Sequence, residues 1–449
     1  MPARLIVAPV FGVALLLALI LRFRVQAFLA LVLASMAVGL TAGMEPAALL
    51  ASMQNGMGST LGFVATVVGL GAMLGQVLES TGGAQALAMT LVRRFGPRRA
   101  PLALMLAGFC IAIPVFFDVG FIILVPVLTA LAAGTGRSIL HYAIPLLAGL
   151  AVTHSFVPPT PGPVAVADIL KADLGWVILL GIVTGLPTSL VAGPLFGSWI
   201  GRRIRGAPPA TEPAPPATQA ASSPPWGLVA ALLALPLLLI LSRTAGELLV
   251  RRGVWTEGSW SRLVAFAGHP FTALLVSTLL ALYLLGIRRG WSADRLMELC
   301  VRSLAPAGVI ILITGAGGML KQVLVDSKVG DLLAGWFGRM ALPPIVLGWL
   351  LAAVVRIAQG SSTVAMITAA GIAAPLVERA NLSDPHRALV VLAIAAGATI
   401  LSHVNDSGFW LVGRYCGLTE KQTLQSWTVM ETIIAVAGLG FILLTSLVV

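Results

Sequence analysis

The chain has 449 residues, of which 58% are hydrophobic and 10% are charged, and its formal net charge at pH 7 is +11. This composition excludes a water-soluble protein, because such a protein needs many more charged side chains to cover its surface. The positive charge does not indicate nucleic-acid binding, since the arginines stand in short clusters between apolar blocks, as the positive-inside rule predicts for cytoplasmic loops.

The apolar residues form long blocks that predict membrane-spanning helices. Blocks near 20 residues match a hydrocarbon layer of about 30 Å at about 1.5 Å rise per residue, and backbone in lipid must satisfy its own hydrogen bonds. The first block, residues 5–21, is followed by Arg22 and Arg24 and not by a small-residue cleavage site. It therefore predicts a spanning helix and not a secretory leader.

We predict an all-α polytopic membrane protein with about 12–14 hydrophobic helical segments. Residues 207–225 are rich in proline and alanine and cannot form a packed element, so they predict a linker between two hydrophobic halves. The predicted parts, in chain order, are N-terminal transmembrane helices (1–57), a first transmembrane repeat (58–206) with a helical hairpin at 100–134, the linker (207–225), connecting transmembrane helices (226–302), and a second repeat (303–449) with a hairpin at 341–379.

The two halves resemble one another. Residues 69–78 read GLGAMLGQVL and residues 315–324 read GAGGMLKQVL, with seven of ten positions identical. An Ala-Gly pair follows in each half, ending at Gly149 and at Gly397. An odd number of predicted crossings separates corresponding points, so we expect inverted repeats, which many secondary transporters contain.

The first hairpin carries an acidic residue in an apolar context. Asp118 stands between Pro114 and Gly120, which interrupt the helix. A carboxylate at bilayer depth costs about 2.5–3.5 kcal/mol, and removal from water favours the neutral acid, so Asp118 is a candidate proton carrier and substrate contact. The alternative is that Asp118 caps a helix at the hairpin tip. A half-helix beginning at Gly120 would attract a carboxylate.

A proline-rich stretch, THSFVPPTPGP at 153–163, predicts an unwound segment inside a spanning helix. Each proline removes a donor and clashes with the preceding turn. Irregular backbone at membrane depth lines a cavity or is buried in protein, and we expect a cavity here. His154 is a candidate proton carrier, and the alternative is a histidine bonded to a neighbouring carbonyl group. The candidate substrate contacts are Thr153, His154, Thr160 and Gly162.

In the second hairpin, the sequence RIAQGSST at 356–363 takes the place that Asp118 has in the first. Gly360 permits a chain reversal, and Ser361 would begin a new helix whose N–H groups attract carboxylates. Arg356 pairs either with the substrate or with an internal acid, and the internal pair is favoured because an unpaired buried arginine is costly. The candidate substrate contacts are Gln359, Gly360, Ser361, Ser362 and Thr363.

The sequence SHVNDSGFW at 402–410 takes the place of the proline stretch in the second half. Asn405 and Ser407 suit sugar hydroxyl groups, so they are candidate substrate contacts. Asp406 and His403 are titratable and are candidate proton carriers, together with Asp118. Five of the six residues 402–407 are polar, and their burial in mid-span would cost much free energy if they served packing alone.

These stretches resemble the gluconate permease family of proton symporters. The resemblance rests on GFVATVVGLGAMLGQVLESTGGA (62–84), PVFFDVGFIILVPV (114–127), PLLAGLAVTHSFVPPTPGP (145–163), RIAQGSSTVAMITAAG (356–371) and SHVNDSGFW (402–410). The family commonly reads Pro-Pro-His-Pro-Gly-Pro, whereas this chain has Thr160 in the place of the histidine. If that histidine sets substrate choice or proton coupling, this member prefers another hydroxy-acid.

The resemblance implies a secondary active transporter in the bacterial inner membrane. Its expected activity is proton-coupled uptake of gluconate or a related hydroxy-acid, such as another aldonate, D-glycerate or D-serine. The implied ion-transporter fold has two hairpins and two unwound helices that meet in mid-membrane, and it works by analogy as a homodimer with an elevator motion. The expected partners are a small organic anion and the lipid bilayer, with no cofactor besides the coupling proton.

Two other transport functions are alternatives to proton-coupled uptake. They are a sodium-coupled carrier of di- or tricarboxylates and an anion channel. An intramembrane enzyme is disfavoured because the sequence contains neither G-x-S-x-G nor H-E-x-x-H. The cysteines Cys110, Cys300 and Cys416 are far apart in the sequence and predict neither a metal site nor a disulfide.

Overall fold

The computed structural model describes residues 22–204, 224–328 and 342–449, together with eight positions between residues 8 and 19. The described part of the chain is almost entirely helical and contains no β-strand, which confirms the predicted all-α class. The predicted spanning block 5–21 lies outside the described residues except for those eight positions. The predicted linker 207–225 lies outside them except for residues 224–225.

We number the described helices in chain order, and α8, α11 and α17 each include a π-helical turn. They are α1 (Ala27–Ala42), α2 (Pro46–Ser80), α3 (Gly83–Phe95), α4 (Ala100–Ile111), α5 (Phe117–Thr135), α6 (Leu140–Phe156), α7 (Pro161–Ile169), α8 (Leu174–Arg203), α9 (Trp226–Arg251), α10 (Ser259–Ala267), α11 (Pro270–Arg289), α12 (Ala293–Asp326), α13 (Pro344–Gln359), α14 (Ser362–Arg379), α15 (Asp384–Gly397), α16 (Ser407–Tyr415) and α17 (Glu420–Ser446).

Many of these helices can cross a membrane. Within the described ranges, eight helical segments are long and apolar enough to do so, with α6 and α7 counted as one segment. Helices α1 and α13 are shorter and also apolar. A polytopic membrane protein is the architecture that these lengths and this composition support.

Both predicted hairpins and both predicted broken helices are present. Helices α4 and α5 form the first hairpin around residues 112–116, and α13 and α14 form the second around Gly360 and Ser361. The break between α6 and α7 spans residues 157–160, and the break between α15 and α16 spans residues 398–406. In both halves the hairpin precedes the broken helix, and a long helix, α8 or α17, follows it.

Two boundaries of the predicted five-part division fall inside continuous helices. The boundary between residues 57 and 58 falls inside α2, and the boundary between residues 302 and 303 falls inside α12. The end of the predicted linker coincides with the start of α9 at Trp226. The five-part division and the inverted relation of the repeats stay predictions.

The repeated Ala-Gly pairs make the same contact in both halves. Gly149 in α6 lies against the carbonyl oxygen of Met105 in α4, and Gly397 in α15 lies against the carbonyl oxygen of Trp349 in α13. A Cβ atom at either glycine would overlap that oxygen, so the missing side chain allows the two helices to approach closely. Each broken helix is thereby fixed to the first arm of its own hairpin.

Helices α2 and α12, which carry the repeated MLxQVL string, cross each other closely. Gly56 lies against the carbonyl group of Gly318, and Gly318 lies against that of Gly56. Near this crossing the Ser52 hydroxyl donates to the Asp326 carboxylate at 2.7 Å. The two helices form one wall behind the hairpin tips.

Candidate functional site

A cavity of about 600 Å³ lies where the two hairpin tips and the second broken helix meet. Its lining comes from the break before α5, the tip between α13 and α14, and the break before α16. Helices α2, α6, α12 and α17 complete the walls. The volume is within the range of small-molecule sites, and polar side chains from both halves of the chain face it.

Three helices begin at this cavity. The first turn of α5, residues 117–119, has no side-chain cap. The starts of α14 and α16 are capped by Ser361 and Asp406, whose side-chain oxygens accept hydrogen bonds from backbone N–H groups. Uncapped N–H groups and the positive end of a helix dipole attract anions. The first turn of α5 is therefore the strongest backbone candidate for holding a carboxylate.

The buried Arg356 pairs with an internal acid, as the favoured interpretation of the sequence expected. Its guanidinium donates to Asp406 at 2.6 Å, and its side chain is 2% exposed. Asp406 also accepts hydrogen bonds from the Ser402 hydroxyl and from the Gly408 N–H. The Trp427 indole N–H donates in turn to Ser402 at 2.6 Å. This network connects α13, the second break and α17 beneath the cavity.

The unwound segment before α16 satisfies the last carbonyl groups of α13, which have no partner within that helix. The Ile357 carbonyl accepts from the Asn405 side-chain amide at 3.2 Å and lies 3.2 Å from Nε2 of His403. Arg356 donates to the Gly360 carbonyl. Gly360 has φ of 88°, and the Asn405 backbone lies where a Cβ atom would be. The hairpin tip and the break therefore hold each other in place.

Several buried polar atoms on the cavity lining have no hydrogen-bond partner in the described part of the protein. Buried polar atoms are normally paired, so these atoms are available to a ligand that carries hydroxyl and carboxylate groups. They are Nδ1 of His154, Nε of Arg356, Oε1 of Gln359, Oγ of Ser362 and Oε1 of Glu431.

The cavity has an excess of acidic groups. Among the described residues, its lining includes the carboxyl groups of Glu79, Asp118, Asp406 and Glu431 and the guanidinium of Arg356. With every carboxyl group ionised, the formal charge of this set is negative. Such a cavity repels an anion unless protons or cations enter with it.

Most of the predicted site residues face this cavity. His403 does not line it and is held at the Ile357 carbonyl instead. The predicted residues that line the cavity are Asp118, His154, Gln359, Gly360, Ser361, Ser362, Thr363, Asn405, Asp406 and Ser407.

Four predicted residues of the first half, Gly120, Thr153, Thr160 and Gly162, lie outside this lining. Helix α5 begins at Phe117, so Gly120 lies inside its first turn and does not start it. Thr153 is fully buried, Thr160 donates to a carbonyl group within the same break, and Gly162 lies against a methionine side chain. Their role as substrate contacts stays a prediction.

The expectation that the proline break lines a cavity is not met at this site. Residues 157–163 are buried in protein, and none of them lines the 600 Å³ cavity. Of the predicted stretch 153–163, His154 and Ser155, at the end of α6, line it. Prolines interrupt a helix whether the interrupted backbone faces a cavity or is buried in protein. Their pattern alone therefore does not distinguish these two cases.

Several cavity residues were not predicted from the sequence. Glu431 is 3% exposed and is the one acidic residue of the apolar stretch Val429–Ser446 in α17, which was an available signal. Gln76 belongs to the repeated MLxQVL string and donates to Glu79 at 3.2 Å. Ser303 and Trp427 also line the cavity and carried no sequence signal of their own.

Comparison with known proteins agrees with this geometry. Residues 4–448 match the sequence model of the GntP family permeases. The chain belongs to this family. The resemblance to gluconate permeases is thereby confirmed over nearly the whole chain. As a GntP permease, the protein is a multi-pass membrane transporter and not an enzyme.

Two relatives of this GntP permease cover almost its full length. The gluconate permease of Pseudomonas aeruginosa is 44% identical over 435 residues, which cover 96% of this chain and 95% of that protein. The Gnt-II system L-idonate transporter of Escherichia coli is 40% identical over 429 residues, which cover 95% and 96% of the two chains.

A solved structure supports the fold. The YdaH transporter of Alcanivorax borkumensis matches this GntP permease with a TM-score of 0.62, over 90% of this chain and 89% of that one. The two sequences are 16% identical, so this likeness concerns the fold alone. The described helices of the GntP permease thus have the arrangement of a known membrane transporter.

Proposed function

We propose that this GntP permease is a secondary active transporter that takes up gluconate, or a closely related sugar-acid anion, together with protons. One observation carries the proposal. An uncapped helix start, a second helix start and a set of unpartnered polar atoms all face one cavity of about 600 Å³. The printed names of the two relatives, gluconate permease and L-idonate transporter, support a polyhydroxylated monocarboxylate.

The proposed substrate pose follows from the chemistry of the lining. The substrate carboxylate lies at the first turn of α5, residues 117–119, where N–H groups lack a side-chain cap. The substrate hydroxyl groups bond to Ser362, Gln359, Asn405 and Ser407, which offer both donors and acceptors. A sugar acid matches this combination of one anionic end and several hydroxyl groups.

Proton coupling is supported by the excess of carboxyl groups over the Arg356 guanidinium among the described residues of the cavity lining. A substrate anion adds one more negative charge, so its binding is stronger when a carboxyl group binds a proton at the same time. Asp118 and Asp406 are proton-carrier candidates from the sequence that line this cavity. With one proton per monoanion the cycle moves no net charge, and the driving force is the pH gradient; each further proton per anion would add about 2.3 kcal/mol per 100 mV of membrane potential.

We further propose a bacterial inner-membrane location and a homodimer with an elevator motion. These two proposals rest on the family resemblance and on the bacterial sources of the relatives, and the cavity does not bear on them. Detergent-solubilised protein analysed by light scattering gives the mass of the assembly. A monomeric mass would contradict the dimer.

Uptake of labelled gluconate into proteoliposomes tests the proposed function. An inward proton gradient should drive accumulation above the external concentration, a protonophore should abolish it, and unlabelled L-idonate should compete. Accumulation that requires a sodium gradient and is inhibited by citrate would favour the sodium-coupled alternative. Downhill flux without saturation or counterflow would favour a channel.

A further inference from the structure

Glu431 is a buried carboxyl group on the cavity lining that the proposed substrate pose does not use. It is 3% exposed, and its Oε1 atom has no hydrogen-bond partner within the described residues. Arg356 and Asp406 line the same cavity as Glu431. The Arg356 guanidinium is engaged by Asp406, and no ion pair joins Arg356 to Glu431 in the described structure.

The other carboxyl groups of the cavity have other engagements. Asp406 accepts hydrogen bonds from Arg356, from Ser402 and from a backbone N–H group, so its carboxylate is held by three donors. Glu79 accepts from the Gln76 amide. Asp118 is exposed to the cavity in the first turn of α5, where the helix dipole favours a carboxylate.

We propose that Glu431 is the residue that takes up the coupling proton, an inference that rests on the proton symport proposed above. A buried carboxylate without a donor costs free energy, whereas the neutral acid carries its own donor. The proton adds to a carboxylate oxygen of Glu431 when the substrate enters, and it returns to water after the substrate leaves.

The Arg356 guanidinium couples protonation of Glu431 to substrate binding, because it attracts both the Glu431 carboxylate and the substrate anion. Its Nε has no protein partner in the described structure. When Glu431 is ionised, its carboxylate attracts the Arg356 guanidinium, and the cavity disfavours a second anion. When Glu431 is neutral, the cavity carries one negative charge fewer, and the positive potential of Arg356 favours a substrate anion whose carboxylate lies at the first turn of α5. The other ionisable groups on the same lining are Asp406, Asp118, Glu79 and His154.

Glu431→Gln tests the inference, because glutamine has the size of the neutral acid and cannot release a proton. In proteoliposomes, the variant should still exchange labelled for unlabelled gluconate at equal concentrations. It should lose proton-driven accumulation, and its exchange rate should lose the pH dependence of the unaltered protein. The matched control is Glu298→Gln, which removes an exposed ion pair with Arg302 at 2.5 Å outside the cavity and should retain both activities.

The outcomes separate this inference from the proposed function. If the unaltered protein shows no proton-driven accumulation, proton symport itself is wrong. If it does and Glu431→Gln accumulates equally well, Glu431 is not the proton site. A folded Glu431→Gln that loses exchange as well would also overturn the inference, because the ionised carboxylate would then serve binding or translocation.

A second substitution keeps the test decisive if Glu431→Gln fails to fold, as judged by gel filtration and thermal unfolding. Glu431→Asp retains a titratable group at a slightly different depth in the protein. A shift in the pH dependence of its accumulation would support the inference. An unshifted pH dependence in an active Glu431→Asp, or loss of exchange in a folded one, would overturn it.

Discussion

Arg356 and Asp406 form an ion pair of 2.6 Å that joins the tip of the second hairpin to the break in the following helix. Their side chains are 2% and 15% exposed, so the pair is largely removed from water. Loss of one partner leaves the other charge buried and uncompensated. The floor of the cavity therefore depends on this buried ion pair as well as on the contacts of Asn405 with Ile357 and Gly360.

We expect Asp406→Asn to destabilise the protein by about 3–5 kcal/mol, because it leaves Arg356 without its counter-charge. The matched control is Asp384→Asn, which removes the exposed Arg251–Asp384 pair at 2.8 Å and should cost about 1 kcal/mol or less. Thermal unfolding in detergent measures both. Equal shifts in Tm for the two variants would show that the buried pair has no special role.

Gly360→Ala should impair both folding and transport. The residue has φ of 88°, which costs an L-residue about 1–2 kcal/mol, and the added Cβ atom would also overlap the Asn405 backbone. Gly136→Ala is the control, since Gly136 has φ of 68° and open space where its Cβ atom would lie, and it should show the conformational cost alone. Uptake by Gly360→Ala at the rate of Gly136→Ala would contradict the proposed contact.

Two neighbouring serines at the second hairpin should respond differently to alanine. Ser361 caps α14, so Ser361→Ala should lower the stability by about 1 kcal/mol. Ser362 has an unpartnered hydroxyl on the cavity lining, so Ser362→Ala should raise the KM for gluconate by about threefold to tenfold with little change in Tm. An unchanged KM in Ser362→Ala would remove this residue from the proposed substrate site.

The close helix contacts at the repeated glycines should tolerate no side chain. Gly149→Ala and Gly397→Ala should each destabilise the protein by about 1–3 kcal/mol, because the Cβ atom would meet a carbonyl oxygen of the neighbouring helix. Gly134→Ala, at an uncrowded position in α5, should be neutral or stabilising by up to about 1 kcal/mol. Thermal unfolding should place Gly134→Ala above the other two variants, and a neutral Gly149→Ala would contradict the packing.

The hairpins and the helix breaks could be predicted because they leave a local signature. Gly360 followed by serines, and the polar run that contains Asn405 and Asp406, have no packing explanation inside an apolar block. Proline in a spanning helix likewise indicates where the helix ends. These signals come from residues that are adjacent in the sequence, so they can be recognised without the tertiary structure.

The remaining features depend on tertiary packing. The THSFVPPTPGP stretch shows that a helix breaks, but the direction in which the broken backbone faces is set by the helices around it. Glu431 is the one charged residue of the apolar stretch Val429–Ser446, and it gains its significance only because it lines the same cavity as Arg356, which is far away in the sequence. The start of α5 at Phe117 instead of Gly120 shows the same limit on a smaller scale, because a helix can begin before the glycine that was expected to start it.

The glycine contacts have a mechanical consequence. Main chain rests on main chain where Gly149 meets α4 and where Gly397 meets α13, so neither helix pair has side chains at these points that could rearrange to permit sliding. Each hairpin arm and its broken helix should travel as one stiff block, and the displacement that turns the cavity from one face of the membrane to the other should occur at looser boundaries. Spin labels on α4 and α6 should keep a constant separation throughout the cycle, and a changing separation would show that this block bends.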